Sequence, residues 1–463
     1  MSQAGAVPPF RKLLVANRGE IAVRIIRACR DLGITSVAIF SEADRDAPHV
    51  LLADEAHACG PAPARASYLD GARILQIAKE RGADALHPGY GFLSESPEFA
   101  RNCAEAGVVF VGPAPETIET MGDKVGARRT MQAAGLPIVP GATARQSDAE
   151  AAATARELGF PVLIKAAAGG GGRGIRLVLR EDQLDRSLKR ARSEARSGFG
   201  DDAIYVEKAL ERPRHIEVQV LGDRRGQLVH LFERECSIQR RHQKLLEEAP
   251  ANRLSPGLRE QLAQAAIAAA REARYEGAGT VEFLLDASGS FYFLEMNTRI
   301  QVEHSITELV TNIDIVAAGI RIAAGEPLGI EQREVGLAGC AIECRIYAED
   351  PVRGFLPSPG EVATYREPAG PGVRVDSGIR QGGSVHVHYD PLVAKLSCWG
   401  RNRAEAIARA RRALGEFVIE GIPTSIPFHI AALEHPAFVA GDYDTGFVEQ
   451  AVLPTLRAQA EDA

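Results

Sequence analysis

Apolar positions along the first 120 residues alternate between short runs and helical spacings. Residues 12–16 form an apolar run, and Asn17-Arg18-Gly19 follows it as turn chemistry. From Glu20 to Asp31 the apolar residues Ile21, Ile25, Ala28 and Cys29 recur at helical spacing, with Gly33 placed to end the helix. A second run, 36–40, completes strand, helix, strand with short connections, which predicts a parallel βαβ unit. A helix over 72–81 and a strand over 108–111 continue the pattern. The texture changes near residue 122. Gly122-Asp123-Lys124 opens a helix that ends near Gly135, and 161–165 reads as a strand whose last residue is Lys165. Ser255-Pro256 has the form of an N-cap followed by a first-turn proline, with Ala/Leu periodicity running toward Gly277. Strand-like segments dominate beyond about 335, at 340–347, 361–365, 385–388 and 392–398, before a helical stretch over 403–417.

Three segments carry patterns suited to chemistry. Four consecutive glycines, 169–172, follow the strand that ends on Lys165. Glycines let backbone N–H groups converge on an anion, and the lysine adds a point charge. No Gly-Lys-Ser/Thr closes this loop, so it does not follow the Walker pattern. Next, 280–286 and 291–297 read as a hairpin around 287–290. A four-residue loop would pair Asp286 with Phe291, which sets Glu282 opposite Glu295 and Thr280 opposite Asn297. Paired carboxylates repel unless a cation lies between them, and oxygen donors with an amide nearby suit Mg²⁺ or Mn²⁺ rather than zinc. Finally, Glu295, Asn297, Arg299, Gln301 and Glu303 occupy every second position, so an extended chain would point all five to one side. A solvated hairpin face would explain the glutamates but not five polar groups at one parity, which fits the wall of a wet, charged site.

Other residues weigh less. Only eight of the 54 basic residues are Lys, and four of them (Lys124, Lys165, Lys208, Lys244) sit in segments that look functional, where a compact charge suits phosphate or bicarbonate. His215 begins an alternating strand with Ile216, Val218 and Val220 on the other face, and His242 lies within Gln239 to Lys244. Cys236 reads as a buried thiol, since no paired base accompanies it.

Composition narrows the class. The chain has 463 residues, 45% hydrophobic and 25% charged, enough for several packed domains. A net charge of −7 argues against a sequence-wide basic surface for nucleic acid. No apolar run approaches the length of a membrane span, and 1–11 lacks the apolar stretch of a secretory signal. Seven scattered cysteines without a Cys-x-x-Cys pair read as reduced thiols, and the expected location is cytoplasmic.

Taken together, the segments 14–22 (LVANRGEIA), 87–95 (HPGYGFLSE), 121–124 (MGDK), 214–217 (RHIE), 239–249, 295–304 (EMNTRIQVEH) and 341–345 (AIECR) resemble the biotin carboxylases of the ATP-grasp superfamily. The likeness continues to His435-Pro436 and Thr445-Gly-Phe447. It implies an α/β fold in which an N-terminal Rossmann-like lobe (1–121) precedes an ATP-grasp domain (122–335) with a mobile lid over about 135–207. A C-terminal mixed α+β domain (336–450) and a tail (451–463) would follow. The activity implied is ATP- and bicarbonate-dependent carboxylation of biotin through carboxyphosphate, as the first half-reaction of acetyl-CoA carboxylase. Pyruvate, propionyl-CoA or other acyl-CoA carboxylases are the alternatives within the class. A non-catalytic ATP-binding paralogue is the alternative outside it.

By position, the resemblance implies ATP contacts at Lys124, Lys165, Gly171, Gly172, Glu207, Lys208, Ala209, Leu210, His215 and His242. Glu282, Glu295 and Asn297 would hold Mg²⁺ or Mn²⁺ at two sites. Lys244, Arg299 and Val302 would bind bicarbonate, Glu303 would be the base that deprotonates it, and Arg345 would meet the biotin oxygen. This chain departs from the family at Ala167-Ala168 (often Ser-Gly), Ser305 (usually Pro), Cys340 (His), Tyr347 (Asn) and His388 (Tyr). Met1, Met121, Met131 and Met296 are followed by Ser, Gly, Gln and Asn, so no Met-Lys-Met biotin-attachment context is present. Biotin is therefore expected on a separate carrier protein, with carboxyltransferase subunits as further partners and a homodimer as the assembly.

Overall fold

The computed structural model describes residues 9–167 and 174–461. Its N-terminal lobe is a parallel sheet of β1 (Lys12–Val15), β2 (Thr35–Ser41), β3 (Glu55–Gly60), β4 (Ala85–His87) and β5 (Val109–Phe110), ordered β3-β2-β1-β4-β5. The period of two along β1 explains how both faces are covered. Leu13 and Val15 pack with Ile21 and Ile25 of helix Gly19–Asp31, whereas Leu14 and Ala16 pack with Val37, Ile39, Ile74 and Ile77. The loops after β1 and β4 are tied together, because Asn17 Nδ2 donates to the Pro88 and Tyr90 carbonyls at 2.7 and 2.8 Å. Gly89 lies between them at φ +64, where a Cβ would stand 2.8 Å from Asn17 Nδ2.

A small antiparallel sheet follows, with β6 (Val162–Ala166) flanked by β7 (Ile175–Val178) and β8 (Ile204–Lys208). Helices Asp148–Leu158 and Leu184–Phe199 give it a core of its own, in which Ala151, Ala155, Val162, Ile164, Leu188 and Val206 meet. Residues 168–173, which include the expected phosphate contacts Gly171 and Gly172, lie outside the described residues.

The largest element is one eight-stranded antiparallel sheet. Its strands are β9 (Arg214–Gly222), β10 (Leu228–Arg240), β11 (Gln243–Ala249), β12 (Gly277–Leu285), β13 (Phe291–Asn297), β14 (Cys340–Tyr347), β15 (Val373–Ser377) and β16 (Leu392–Gly400). The order is β13-β12-β9-β10-β11-β14-β16-β15, so the sheet runs uninterrupted past residue 335. On one face Ile216, Val218, Val220, Val281, Phe283 and Phe293 pack against Leu262, Ala266 and Ala269 of helix Pro256–Glu272. Ser255 caps that helix, accepting from the Leu258 amide at 3.2 Å. The alternate residues of the same strands make the opposite face polar.

Three expectations differ from the structure. The 361–365 strand is split, because Gly360–Glu361 pairs with Ser384–Val385 while Thr364–Arg366 pairs with Val418–Glu420. The 385–388 strand stops at Val385. The chain beyond it is drawn to the N-terminal lobe, where the Tyr389 hydroxyl reaches the Ala62 carbonyl at 2.5 Å and Arg18 lies 4.3 Å over its ring. Residues 453–461, expected as tail, form a helix whose Leu453 and Leu456 complete the C-terminal core.

Candidate active site

The polar face of the large sheet gathers charges from six strands, β9 to β14. Register places Arg234 opposite Glu217, Glu217 opposite Glu282, and Glu282 opposite Glu295, a row that crosses β10, β9, β12 and β13. A second row sets Gln219, Thr280 and Asn297 side by side. The expected pairing of Glu282 with Glu295 is present, but for a different reason. The hairpin loop is one residue longer than expected, with Leu285 rather than Asp286 opposite Phe291, and a bulge between Glu282 and Phe283 restores the register.

Nor does the alternating run from Glu295 to Glu303 stay extended. Strand β13 ends at Asn297, and the chain bends before helix His304–Thr311. Hydrogen bonds keep the polar residues together instead. Arg299 donates to Asn297 Oδ1 and Gln301 Oε1, each at 3.0 Å, and Gln301 Nε2 donates to Glu282 Oε1 at 3.2 Å. Arg299 also donates to Glu95 of the N-terminal lobe at 2.9 Å.

At the centre stands Lys244. Its three protons match three carboxylates: Glu217 at 2.6 Å, Glu282 at 2.9 Å and Glu303 at 2.7 Å. Burial alone would lower the lysine, but these acids hold it well above its ordinary value. Glu303 is fully buried and clamped on its other oxygen by Arg345 at 2.9 Å. Burial pushes its carboxyl up, yet Lys244, Arg345 and Arg234 outweigh burial and hold it well below the carboxylate range. Arg234, itself fully buried, donates to Glu217, Gln219, Thr307 and Thr280 and pins the floor of the site. The Cys236 thiol is 3.8 Å from Glu303, and burial raises it well above its usual value, so it stays protonated.

Toward the nucleotide end expected from sequence, the cations pair more simply. Lys124, at the start of helix Lys124–Ala133, meets Glu295 at 3.0 Å. Lys165 and Arg128 enclose the buried Glu207 carboxylate, Arg128 at 3.0 Å. Lys208 Nζ donates to the Gly159 carbonyl at 3.0 Å, Ala209 is buried, and Leu210 is half-buried. His215 meets Glu282 at 2.9 Å. Arg241 and His242 form the two-residue turn between β10 and β11, both at positive φ (+49 and +67), which favours Gly or Asn and stores strain. Burial, then Lys165, His215 and Lys124, lower the His242 imidazole, which therefore stays neutral. Val302 is anchored through its carbonyl, which accepts from the fully buried Lys395 at 2.5 Å.

The structure thus brings together Lys124, Glu282, Glu295, Asn297, Arg299, Lys244, Glu303 and Arg345. Sequence reasoning did not single out Glu217, Arg234, Arg128, Glu95, Glu247, Glu343 or Lys395. Glu217 had a signal, because it shares its parity with His215 against the apolar Ile216 and Val218. Glu282, Glu295 and Asn297 supply only carboxylate and amide donors on adjacent strands, which fits a hard divalent cation. Glu282 also belongs to a buried His215–Glu217–Glu282 group with donor atoms within 4.8 Å of one another.

Three family models match the chain: biotin carboxylase N-terminal domain over residues 9–118, carbamoyl-phosphate synthase L chain ATP-binding domain over 123–331, and biotin carboxylase C-terminal domain over 343–450. Biotin carboxylase 1 of Bacillus subtilis is 53% identical over 442 residues, covering 95% of this chain and 98% of the relative. A pyruvate carboxylase subunit of Methanothermobacter thermautotrophicus is 52% identical, covering 95% of this chain and 90% of the relative. The biotin carboxylase domain dimer of Hydrogenobacter thermophilus 2-oxoglutarate carboxylase, solved with MgADP, ADP and bicarbonate, superposes with a TM-score of 0.94. It is 47% identical and covers 97% of this chain and 98% of that one.

Proposed function

Because the chain belongs to the biotin carboxylase family, we propose that it uses ATP to carboxylate biotin with bicarbonate, biotin arriving on a separate carrier protein. The observation that carries this reading is the fully buried Glu303 carboxylate held between Lys244 at 2.7 Å and Arg345 at 2.9 Å. Bicarbonate would enter against Lys244, Arg299 and the Val302 backbone, drawing Lys244 partly away from Glu303. Glu303 would then take the bicarbonate proton and hold it on its carboxyl. The oxyanion so formed attacks the γ-phosphorus of ATP as the β,γ phosphoanhydride bond breaks, giving carboxyphosphate and ADP, a step that positioning and charge can drive without covalent help from the protein.

Lys124, Lys165 and His242 would face the phosphates, with Glu207 to Leu210 and His215 beside the nucleotide. Gly171 and Gly172, outside the described residues, are proposed as further ATP contacts. Glu282, Glu295 and Asn297 would hold Mg²⁺ or Mn²⁺, which supplies charge neutralisation of the phosphates. Lys124 and Lys244 compensate those carboxylates before nucleotide arrives. Carboxyphosphate would yield CO₂ and phosphate, the phosphate would take the N1′ proton of biotin, Arg345 would steady the enolate oxygen left behind, and N1′ would then add to CO₂ to give carboxybiotin. Residues of about 135–207, which have a core of their own, would move as a lid over an ATP-grasp domain. A homodimer would be the working assembly.

For the acceptor, the proposal is acetyl-CoA, with the carrier and carboxyltransferase as partner subunits in the cytoplasm. The Methanothermobacter relative supports a second reading, the same half-reaction in a pyruvate carboxylase. Reconstitution with the carrier and carboxyltransferase encoded beside this chain decides between them. Labelled bicarbonate appearing in malonyl-CoA supports the first, and label in oxaloacetate replaces it with the second.

A further inference from the structure

Arg345 Nη2 serves two carboxylates at once, Glu303 Oε2 at 2.9 Å and Glu247 Oε1 at 2.5 Å. Glu247 on β11 stands directly opposite Glu343 on β14, which puts their Cβ atoms roughly 5 Å apart. Both are 0% exposed. Among the described residues, neither Glu247 oxygen nor Glu343 Oε1 has a hydrogen-bond partner, and the Arg345 contact is one of charge alone. The cations around this cluster are Lys244, Arg234, Arg345 and Lys395, the last shared with Glu20, against Glu217, Glu282, Glu303, Glu247 and Glu343. A divalent cation on Glu282 would still leave Glu247 with a share of one guanidinium and of Lys244, both already engaged by other carboxylates, whereas Glu343 also faces the fully buried Lys395. Two adjacent buried carboxylates in that position cannot both ionise cheaply.

The hydroxyls set the two carboxylates apart. Ser305 donates to Glu343 Oε2, and Ser397 donates to the same oxygen at 3.1 Å, whereas Glu247 receives no hydrogen-bond donor among the described residues. Ser305 stands where the family usually has Pro, so this donor is a feature of the present chain. The charged groups facing Glu247 are Arg345 and Glu343 from β14, Glu303 from the chain before helix His304–Thr311, and Lys244 from its own strand.

We propose that Glu247 carries the single proton of the Glu247–Glu343 pair in the resting protein, and that this neutral partner leaves Arg345 free to serve Glu303 and then the biotin oxygen. Glu247 is thus a positioning residue, and the inference rests on the biotin carboxylase reading. Burial pushes the Glu247 carboxyl upward, more than Arg345 draws it down, and Glu303 and Glu343 push it further. Its deprotonation above neutrality would bind Arg345 to Glu247 and withdraw it from biotin.

The test compares wild type with Glu247→Gln, which keeps the shape of the neutral acid. The first readout is carboxybiotin formed per phosphate released, across pH 6 to about 9. Wild type should lose carboxybiotin relative to Glu247→Gln as pH rises, by up to about tenfold per pH unit for one titrating group. The second readout is the denaturant midpoint of both proteins across the same range. A carboxyl whose folded value is raised loses stability as pH climbs from its unfolded value toward the folded one, so wild type should weaken relative to Glu247→Gln. Superimposable profiles in the denaturation arm overturn the assignment of the proton. Superimposable carboxybiotin profiles, with the denaturation difference present, overturn its role at Arg345. Absence of bicarbonate-dependent turnover in wild type at every pH would instead reject the biotin carboxylase reading, and the denaturation arm still decides where the proton lies.

Discussion

The two ends of the polar face solve the same electrostatic problem in opposite ways. At the Lys124 end, cations and carboxylates pair nearly one to one. Lys124 meets Glu295, Arg128 and Lys165 share Glu207, and the Lys124 side chain retains 21% exposure. At the Arg345 end, Lys244 binds three carboxylates and Arg345 two, all buried. Pairs of the first kind can exchange a carboxylate for a phosphate by a small side-chain movement. A cluster of the second kind is held on several sides, so it responds to a ligand by moving protons rather than groups. On the proposed function, the first end would bind nucleotide and the second would do acid–base work.

The largest effect should follow from removing the base. Glu303→Gln keeps shape and hydrogen bonding, so bicarbonate-dependent phosphate release and carboxybiotin formation should fall together by about 10²–10⁴ while the fold persists. Because Glu303 is held well below 4.5, it is ionised across the working range. The wild-type profile of kcat/KM should therefore show no acid limb from this residue until well below about pH 5. Full carboxylation by the variant would remove Glu303 from the mechanism.

Arg345→Gln should separate the two steps. Carboxybiotin formation is expected to drop by about 10²–10³, the typical cost of one donor to a developing oxyanion, with phosphate release retained better. Equal losses would show that Arg345 acts before biotin and not at its oxygen. At the other end, Glu295→Gln should raise the Mg²⁺ needed for half-maximal turnover by about 10- to 100-fold. An unchanged Mg²⁺ titration would place the ion elsewhere, with the His215–Glu217–Glu282 group as the next position to change. Lys124→Met is expected to act least, raising KM for ATP by about tenfold with little change in kcat, because one half-buried charge contact is lost. A kcat loss as large as that of Glu303→Gln would contradict the division of labour between the ends.

Much of this face is legible in the chain because strand parity sorts residues without knowledge of the fold. Ile216, Val218 and Val220 against His215 and Glu217 already separate a core side from a polar side, and the same holds for Ile342, Cys344 and Ile346 against Glu343 and Arg345. Parity also finds the Glu282–Glu295 pair from a hairpin loop one residue too short, since the bulge before Phe283 cancels the error. What parity cannot supply is which strands become neighbours. The pairing of β11 with β14 joins residues about a hundred positions apart and brings Glu247 beside Glu343, while Arg345 meets Glu303 only because helix His304–Thr311 packs on β14. Lys395 and Glu95 are hidden for the same reason, each reaching the site from another domain. Ser305 and Tyr347 look incidental along the chain, yet one donates to Glu343 and the other lies buried beside Arg345.

One task is assigned to this face, the coupling of ATP cleavage to transfer of a carboxyl group onto biotin. Phosphate release by the wild-type protein, with bicarbonate and biotin each supplied and withheld and carboxybiotin measured in the same samples, tests that coupling without any substitution. Coupling predicts release that requires bicarbonate, rises with biotin, and matches carboxybiotin formation mole for mole once hydrolysis without transfer is subtracted. ATP turnover that proceeds equally without bicarbonate or biotin, or nucleotide binding with no turnover at all, would contradict it.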